Sequence, residues 1–255
     1  MSAANDPSDD ASNNAFNDPS NDAVSAAAVR SVDLNADLGE EVTDDAALLA
    51  VVTSANVACG YHAGSVAIMR LVCEQAVEHG VSVGAQVSYA DRANFGRVAV
   101  DVAYEILREQ IAHQVGVLTE VARAAGTDVR YLKAHGALYH RVLDDDEQAA
   151  AVLAGSGWLP VLGMPGALLD QAYGAGRTVL LEGFPDRGYA ADGRLLPRAE
   201  PGALLDDSAE IARRAVSLAA SVRSVCVHGD SPAAATTARA CRSALEGAGY
   251  RLEGL

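Results

Sequence analysis

From Arg30 to the end of the chain, short apolar runs alternate with longer amphipathic stretches, and this alternation admits few architectures. The short runs suit strands buried on both faces, while the longer stretches repeat their apolar residues at helical spacing. Strand and helix in regular succession make the strands parallel, because continuing in one direction requires a crossover about as long as a helix. Seven strand candidates arise, at Ser31 to Leu34, Ser54 to Ala58, Val81 to Ala85, Arg130 to Lys133, Leu159 to Gly163, Thr178 to Glu182 and Ser224 to His228. Helices are clearest at Ser65 to His79, Val102 to Ala125, Ser208 to Ser221 and Pro232 to Ala248. Asp207 or Ser208 can cap one start, Ser231-Pro232 another, and Gly80 and Gly126 supply stops. Seven such units predict an incomplete or distorted barrel, one α/β domain over residues 30–255.

The segment 1–29 differs in kind. It is almost entirely Ala, Asn, Asp, Ser and Pro, so an acidic, disordered tail is expected. It has neither the basic start nor the apolar centre of a secretory signal, which points to the cytoplasm. No stretch approaches the roughly 20 apolar residues that span a bilayer, so no membrane is expected. A net charge of -15 opposes nucleic acid, whose binding relies on lysine and arginine. Cys59, Cys73, Cys226 and Cys241 contain no Cys-x-x-Cys pair and read as reduced, mostly buried thiols.

Polar residues gather where the strand candidates end, the edge that carries the active site in parallel α/β folds. The clusters are Asp33 to Glu40, Asn56 to Gly64, Gln86 to Tyr89, Lys133 to Gly136, Glu182 to Arg187, and His228 to Asp230. Strand alternation puts Asp33, Asn35 and Asp37 on one face. Lys133 is the sole lysine in a chain whose other 18 basic side chains are arginine, so a compact ammonium beside a reacting group is the functional reading and a stray surface lysine the bland one. His62 and His135 each precede a small residue. With Asp37 they can form a two-histidine, one-carboxylate metal site, or they can simply hold loops as neutral hydrogen-bonding rings. Glu182, Asp186 and Arg187 offer carboxylates and a guanidinium able to clamp an acidic substrate, or a plain loop ion pair. His228 and Asp230 would lie near the start of the last helix, which favours an anion. No phosphate loop, dinucleotide fingerprint or nucleophile elbow is present in the sequence.

Taken together, Val32 to Glu40, Ser54 to Gly64, Val83 to Arg97, Tyr131 to Tyr139, Glu182 to Arg198 and Val227 to Pro232 closely resemble the lactam-utilisation family of bacterial 5-oxoprolinase A subunits. The resemblance implies a distorted seven-stranded (β/α) barrel of the glycoside hydrolase and deacetylase kind. It implies ATP with Mg2+ as co-substrate for opening 5-oxo-L-proline to L-glutamate, and two partners, subunits B and C. In the related deacetylase-like proteins an aspartate and two histidines bind a divalent metal, and Asp37, His62 and His135 occupy similar motif positions. The chain departs from the family pattern at Gln86-Val87, where a His-Pro pair is common, at Ala134, and in a shortened loop after Glu40. An amide cannot act as a base, so Gln86 is expected to contact substrate.

The mechanism expected from these residues assigns Lys133 to charge on the lactam oxygen or its phosphate, Arg187 to the substrate carboxylate, Asp37 or Glu182 to water, and His135 to proton donation. Asn35, Asn56, His62, Gln86, Asp186, His228 and Asp230 complete the expected substrate contacts. Two alternatives stand beside it: a metal-dependent amidase or deacetylase that needs no ATP, and a non-catalytic substrate-binding subunit.

Overall fold

The computed structural model describes residues 30–42, 44–228 and 233–255. The expected tail over 1–29, the Ser231-Pro232 helix start and the candidate Asp230 lie outside the described residues. The strands are β1 (Arg30–Leu38), β2 (Ser54–Ala58), β3 (Ser82–Val87), β4 (Val129–Ala134), β5 (Val161–Gly163), β6 (Val179–Gly183), β7 (Ser224–Val227) and β8 (Tyr250–Leu252). The helices are α1 (Asp45–Leu49), α2 (Val66–His79), α3 (Tyr104–Ala125), α4 (Gly136–Arg141), α5 (Asp146–Gly155), α6 (Ala167–Gly174), α7 (Ser208–Leu218) and α8 (Ala234–Gly247).

Each of β1 to β6 pairs in parallel with the next, and β1 pairs with both β2 and β7, so seven strands close into the expected barrel. The short β8, which the periodicity does not reveal, adds beside Arg30–Val32 at the start of β1. The caps follow local chemistry. Ser65 accepts from Ile68 N and Asp207 from Ala209 N, while Gly80 and Gly126 end their helices in the left-handed region.

β1 runs to Leu38, past the expected end at Leu34. A row of polar residues at 33, 35 and 37 looks like a strand giving way to a loop, but here the barrel interior is itself polar. Val32, Leu34, Ala36 and Leu38 join the apolar core. Asp33, Asn35 and Asp37 instead find buried partners on other strands. Asp33 accepts from Thr53 Oγ1 at 2.7 Å and Ser54 Oγ at 2.6 Å, and also from Ser224 Oγ. Burial nevertheless pushes its carboxyl up to about 6.

One layer of the interior depends on a small residue beside a large one. Asp37, Asn56, Gly84 and Tyr131 are neighbours on consecutive strands. A Cβ at Gly84 would lie 2.2 Å from the Tyr131 ring, and that ring's hydroxyl donates to Asn56 Oδ1 at 2.7 Å. Asn56 Nδ2 donates in turn to Asn35 Oδ1 at 2.7 Å and Asp37 Oδ1 at 2.9 Å. Among the described residues, no helix is long and apolar enough to cross a membrane.

Candidate active site

The mouth of the barrel carries two buried polar clusters side by side. The first centres on Lys133 near the end of β4, 2 % exposed. Its Nζ lies 3.2 Å from Asp37 Oδ1, 3.1 Å from Glu182 Oε2 and 3.1 Å from Cys226 Sγ. Burial alone would lower the ammonium's pKa, but Asp37, Cys226 and Glu182 outweigh it, so Lys133 stays charged and is a fixed cation rather than a base. Burial pushes Asp37 up, yet the charges of Lys133 and His228 hold its carboxyl well below the usual range. Glu182 ends the other way: burial dominates over Lys133 and its carboxyl is raised. Neither Glu182 oxygen makes a directional hydrogen bond, so the pair with Lys133 is a charge contact.

The second cluster is Glu40, His62 and His135, whose potential ligand atoms all lie within 4.8 Å of one another. The two rings stack at 4.0 Å. Glu40 Oε1 stands 3.3 Å from His135 Nδ1 and 3.7 Å from His62 Nε2. Both nitrogens of His62 are buried without a hydrogen-bond partner. A carboxylate and two imidazoles converging around orphaned nitrogen suit a divalent cation of the zinc type, so this donor set fits a metal. Asp37, expected among these ligands, lies outside the group because its Oδ1 is taken by Lys133 and Asn56. Glu40 stands in its place. Gly39, at φ 74, turns the chain after β1 and returns Glu40 to the mouth, a step that strand alternation does not convey. A loop closes over the cluster: Phe95 O lies 3.1 Å from His135 Nε2, and a Cβ at Gly96 would meet Ser88 Oγ at 2.3 Å and His62 Cβ at 3.0 Å. Burial and the neighbouring His62 lower His135 well below the ordinary histidine value, which makes it neutral.

A cavity of about 280 Å3 opens above Lys133, with Asp37, His135, Tyr139, Phe184 and His228 in its wall. That size suits a small molecule. Phe184 stacks on His228 at 5.3 Å and meets Tyr139 edge-on at 5.7 Å, giving the cavity a flat apolar side. His228 Nδ1 lies 3.0 Å from Asp186 Oδ2, and its backbone N–H donates to the same oxygen at 2.9 Å. Burial opposes charge on His228, but Asp186 overcomes it and raises the imidazole pKa. Arg187 reaches the cavity wall while donating to Ala203 O and Leu196 O, and Arg97 and Arg198 bring further positive charge to the rim.

Of the residues expected at a site, Asp37, Lys133, His135, Arg187 and His228 line the cavity. Glu182 and Asp186 contact Lys133 and His228 from behind. Asn35 and Asn56 lie beneath, fully buried and holding Asp37 and Lys133. His62 and Gln86 belong to the Glu40 cluster. Sequence reasoning passed over Glu40, Tyr139, Phe184 and Cys226. Tyr139 carried a signal, since a tyrosine one turn past His135 on a helix begun at the strand end points back to the mouth.

A family model described as the LamB/YcsF family matches residues 32–255. A Streptomyces avermitilis protein named as the A subunit of 5-oxoprolinase is 51% identical over 245 residues, covering 87% of this chain and 98% of its own. A Mycobacterium avium protein of the same name is 48% identical over 246 residues, covering 87% and 97%. Among solved structures, a lactam utilization protein from Thermus thermophilus aligns with a TM-score of 0.83 and 34% identity, over 88% of this chain and all of that one. A family 4 carbohydrate esterase from Streptomyces lividans aligns with a TM-score of 0.50 at 12% identity, over 88% and 92% of the two chains, which is a likeness of fold.

Proposed function

Because the chain belongs to the LamB/YcsF family, we propose that it supplies the lactam site of a multi-subunit 5-oxoprolinase, which opens 5-oxo-L-proline to L-glutamate with ATP. The observation that carries this reading is the buried Lys133 ammonium, held between two carboxylates at the floor of a small cavity. A fixed positive charge in a dry site stabilises an oxygen that becomes anionic or phosphorylated, without needing to reorganise as the charge develops.

In this scheme the lactam ring lies along Phe184 with its carbonyl oxygen toward Lys133, and the substrate carboxylate faces the arginine rim, where Arg187 helps to hold it. Transfer of the ATP γ-phosphoryl group to the lactam oxygen gives an imidate-like phosphate. Water attacks the ring carbon and gives its proton to the carboxylate pair around Lys133, Asp37 in the cavity wall and, behind it, Glu182, whose raised pKa suits a base. The C–N bond breaks as the ring nitrogen takes a proton, leaving a γ-acyl phosphate that a second water hydrolyses to glutamate and phosphate. Proton donation falls to His228, which Asp186 keeps protonated, rather than to His135, whose neutral ring has no spare proton to give. ATP with Mg2+ and partner subunits B and C complete the system. A divalent cation bound by Glu40, His62 and His135 would supply Lewis-acid polarisation of a carbonyl or water.

The test is release of glutamate and ADP from 5-oxoproline and ATP by this chain alone, by the B and C partners alone, and by all three, with and without chelator. Equal release of both products only from the full set is expected. Turnover by the partners alone would reduce this chain to a binding role. The Glu40 cluster favours one rival, a metal-dependent amidase, and ATP-independent hydrolysis abolished by chelator would establish it.

A further inference from the structure

Gln86 projects from β3 into the Glu40 cluster, fully buried. Its Nε2 lies 2.9 Å from Glu40 Oε1 and 3.0 Å from His135 Nδ1, two of the three atoms a cation would need. The direction of these contacts follows from their surroundings. Phe95 O can only accept, so the His135 Nε2 that faces it carries the ring proton and Nδ1 presents a lone pair. A carboxylate oxygen and an imidazole lone pair thus converge on one point, and only a donor or a cation can stand there. The two N–H groups of an amide fill that requirement, whereas the reverse orientation would set Gln86 Oε1 against both lone pairs.

We propose that Gln86 is an internal stand-in for a metal: its NH2 group bridges Glu40 and His135, and a divalent cation binds this cluster only by displacing that amide. His62 is left with unpartnered nitrogens, which keeps the cluster receptive, while Gln86 keeps it weak. The residue therefore positions Glu40 and His135 and sets metal affinity.

The probe is Zn2+ titrated calorimetrically into the metal-free full chain. Gln86→Leu keeps the side chain's approximate size and removes both N–H groups. Loss of two competing hydrogen bonds is expected to tighten Zn2+ binding roughly tenfold to a hundredfold, with one ion per chain. Adding His62→Ala to that variant should abolish the gain. Equal or weaker binding by Gln86→Leu, or a gain that survives without His62, overturns the proposal. Nitrogen-15 NMR on the unsubstituted chain gives a second reading even if the variant does not fold. His135 should carry its proton on Nε2, and saturating Zn2+ should move the Gln86 amide resonances. A proton on Nδ1, or Gln86 resonances unmoved by bound Zn2+, overturns it equally. Because binding is read directly, the result is separate from that of the ring-opening assay.

Discussion

Replacing Lys133 by methionine removes one charge and keeps most of the side chain's volume, so its consequences are electrostatic. The ammonium lies 3.2 Å from Asp37 and 3.1 Å from Glu182, and all three side chains are at most 7% exposed. Removing one partner of a buried ion pair and stranding the other costs about 3 to 5 kcal/mol. For a chain of this size that corresponds to a fall of roughly 6 to 20 °C in Tm. The sign with pH follows from Asp37. In the native chain its pKa lies below the unfolded value, so it contributes stability above the unfolded pKa of 3.8, and this is lost as pH falls. Without Lys133, the largest of the charges that lower it, burial prevails and the folded pKa lies above the unfolded one. The variant is then penalised most at high pH and relieved as pH falls and a carboxylate takes up a proton. Urea denaturation at pH 8 and pH 5 should show a large deficit relative to wild type that shrinks by at least about 1 kcal/mol at the lower pH. A deficit under about 1 kcal/mol, or one identical at both pH values, would refute the view that Lys133 neutralises these carboxylates. In the reconstituted enzyme, assayed at a temperature where the variant is folded, glutamate release should fall by at least about a hundredfold.

Gly84→Ala sets a methyl group against the Tyr131 ring and should cost about 1 to 3 kcal/mol in thermal or urea melts; an unchanged midpoint would mean that the ring has room to move. Asp186→Asn removes the carboxylate that raises His228, so the imidazole should titrate at lower pH by NMR and the alkaline limb of the activity profile should shift down with it. A shift of the NMR titration without the profile would remove His228 from proton donation. Asp33 has a folded pKa of about 6 against 3.8, so the stability linked to its protonation is present below pH 3.8 and lost as pH rises through 6, about 3 kcal/mol in all. Asp33→Asn should remove that part of the pH dependence, read as the difference between wild-type and variant urea melts at pH 4 and pH 7.

Local pattern carried much of this architecture. The βα alternation, the Asp207 cap and the Gly80 and Gly126 stops are short-range signals, and each appears in the structure where its chemistry placed it. Elements without a strong signal were harder. β8 is only three residues long, and α4 begins directly after the cluster that ends β4, where site residues mask helical periodicity.

The sequence by itself determined that the strands are parallel, that Asp33, Asn35 and Asp37 share a face, and that Lys133, His135, Glu182 and His228 come at strand ends. These follow from periods of two and of about 3.6 residues, which any stretch of chain expresses alone. Only the tertiary structure decided which of those groups meet. Closure of β1 against β2 and β7 carries Asp37 to Lys133 and leaves the histidines to Glu40, while Gln86 reaches between them from β3. Charge state follows from the same encounters: Asp186 raises His228, whereas burial beside His62 lowers His135. The Asp37–Lys133 pairing joins residues 96 positions apart, and electrostatic energy depends on distance through space, which no local period encodes.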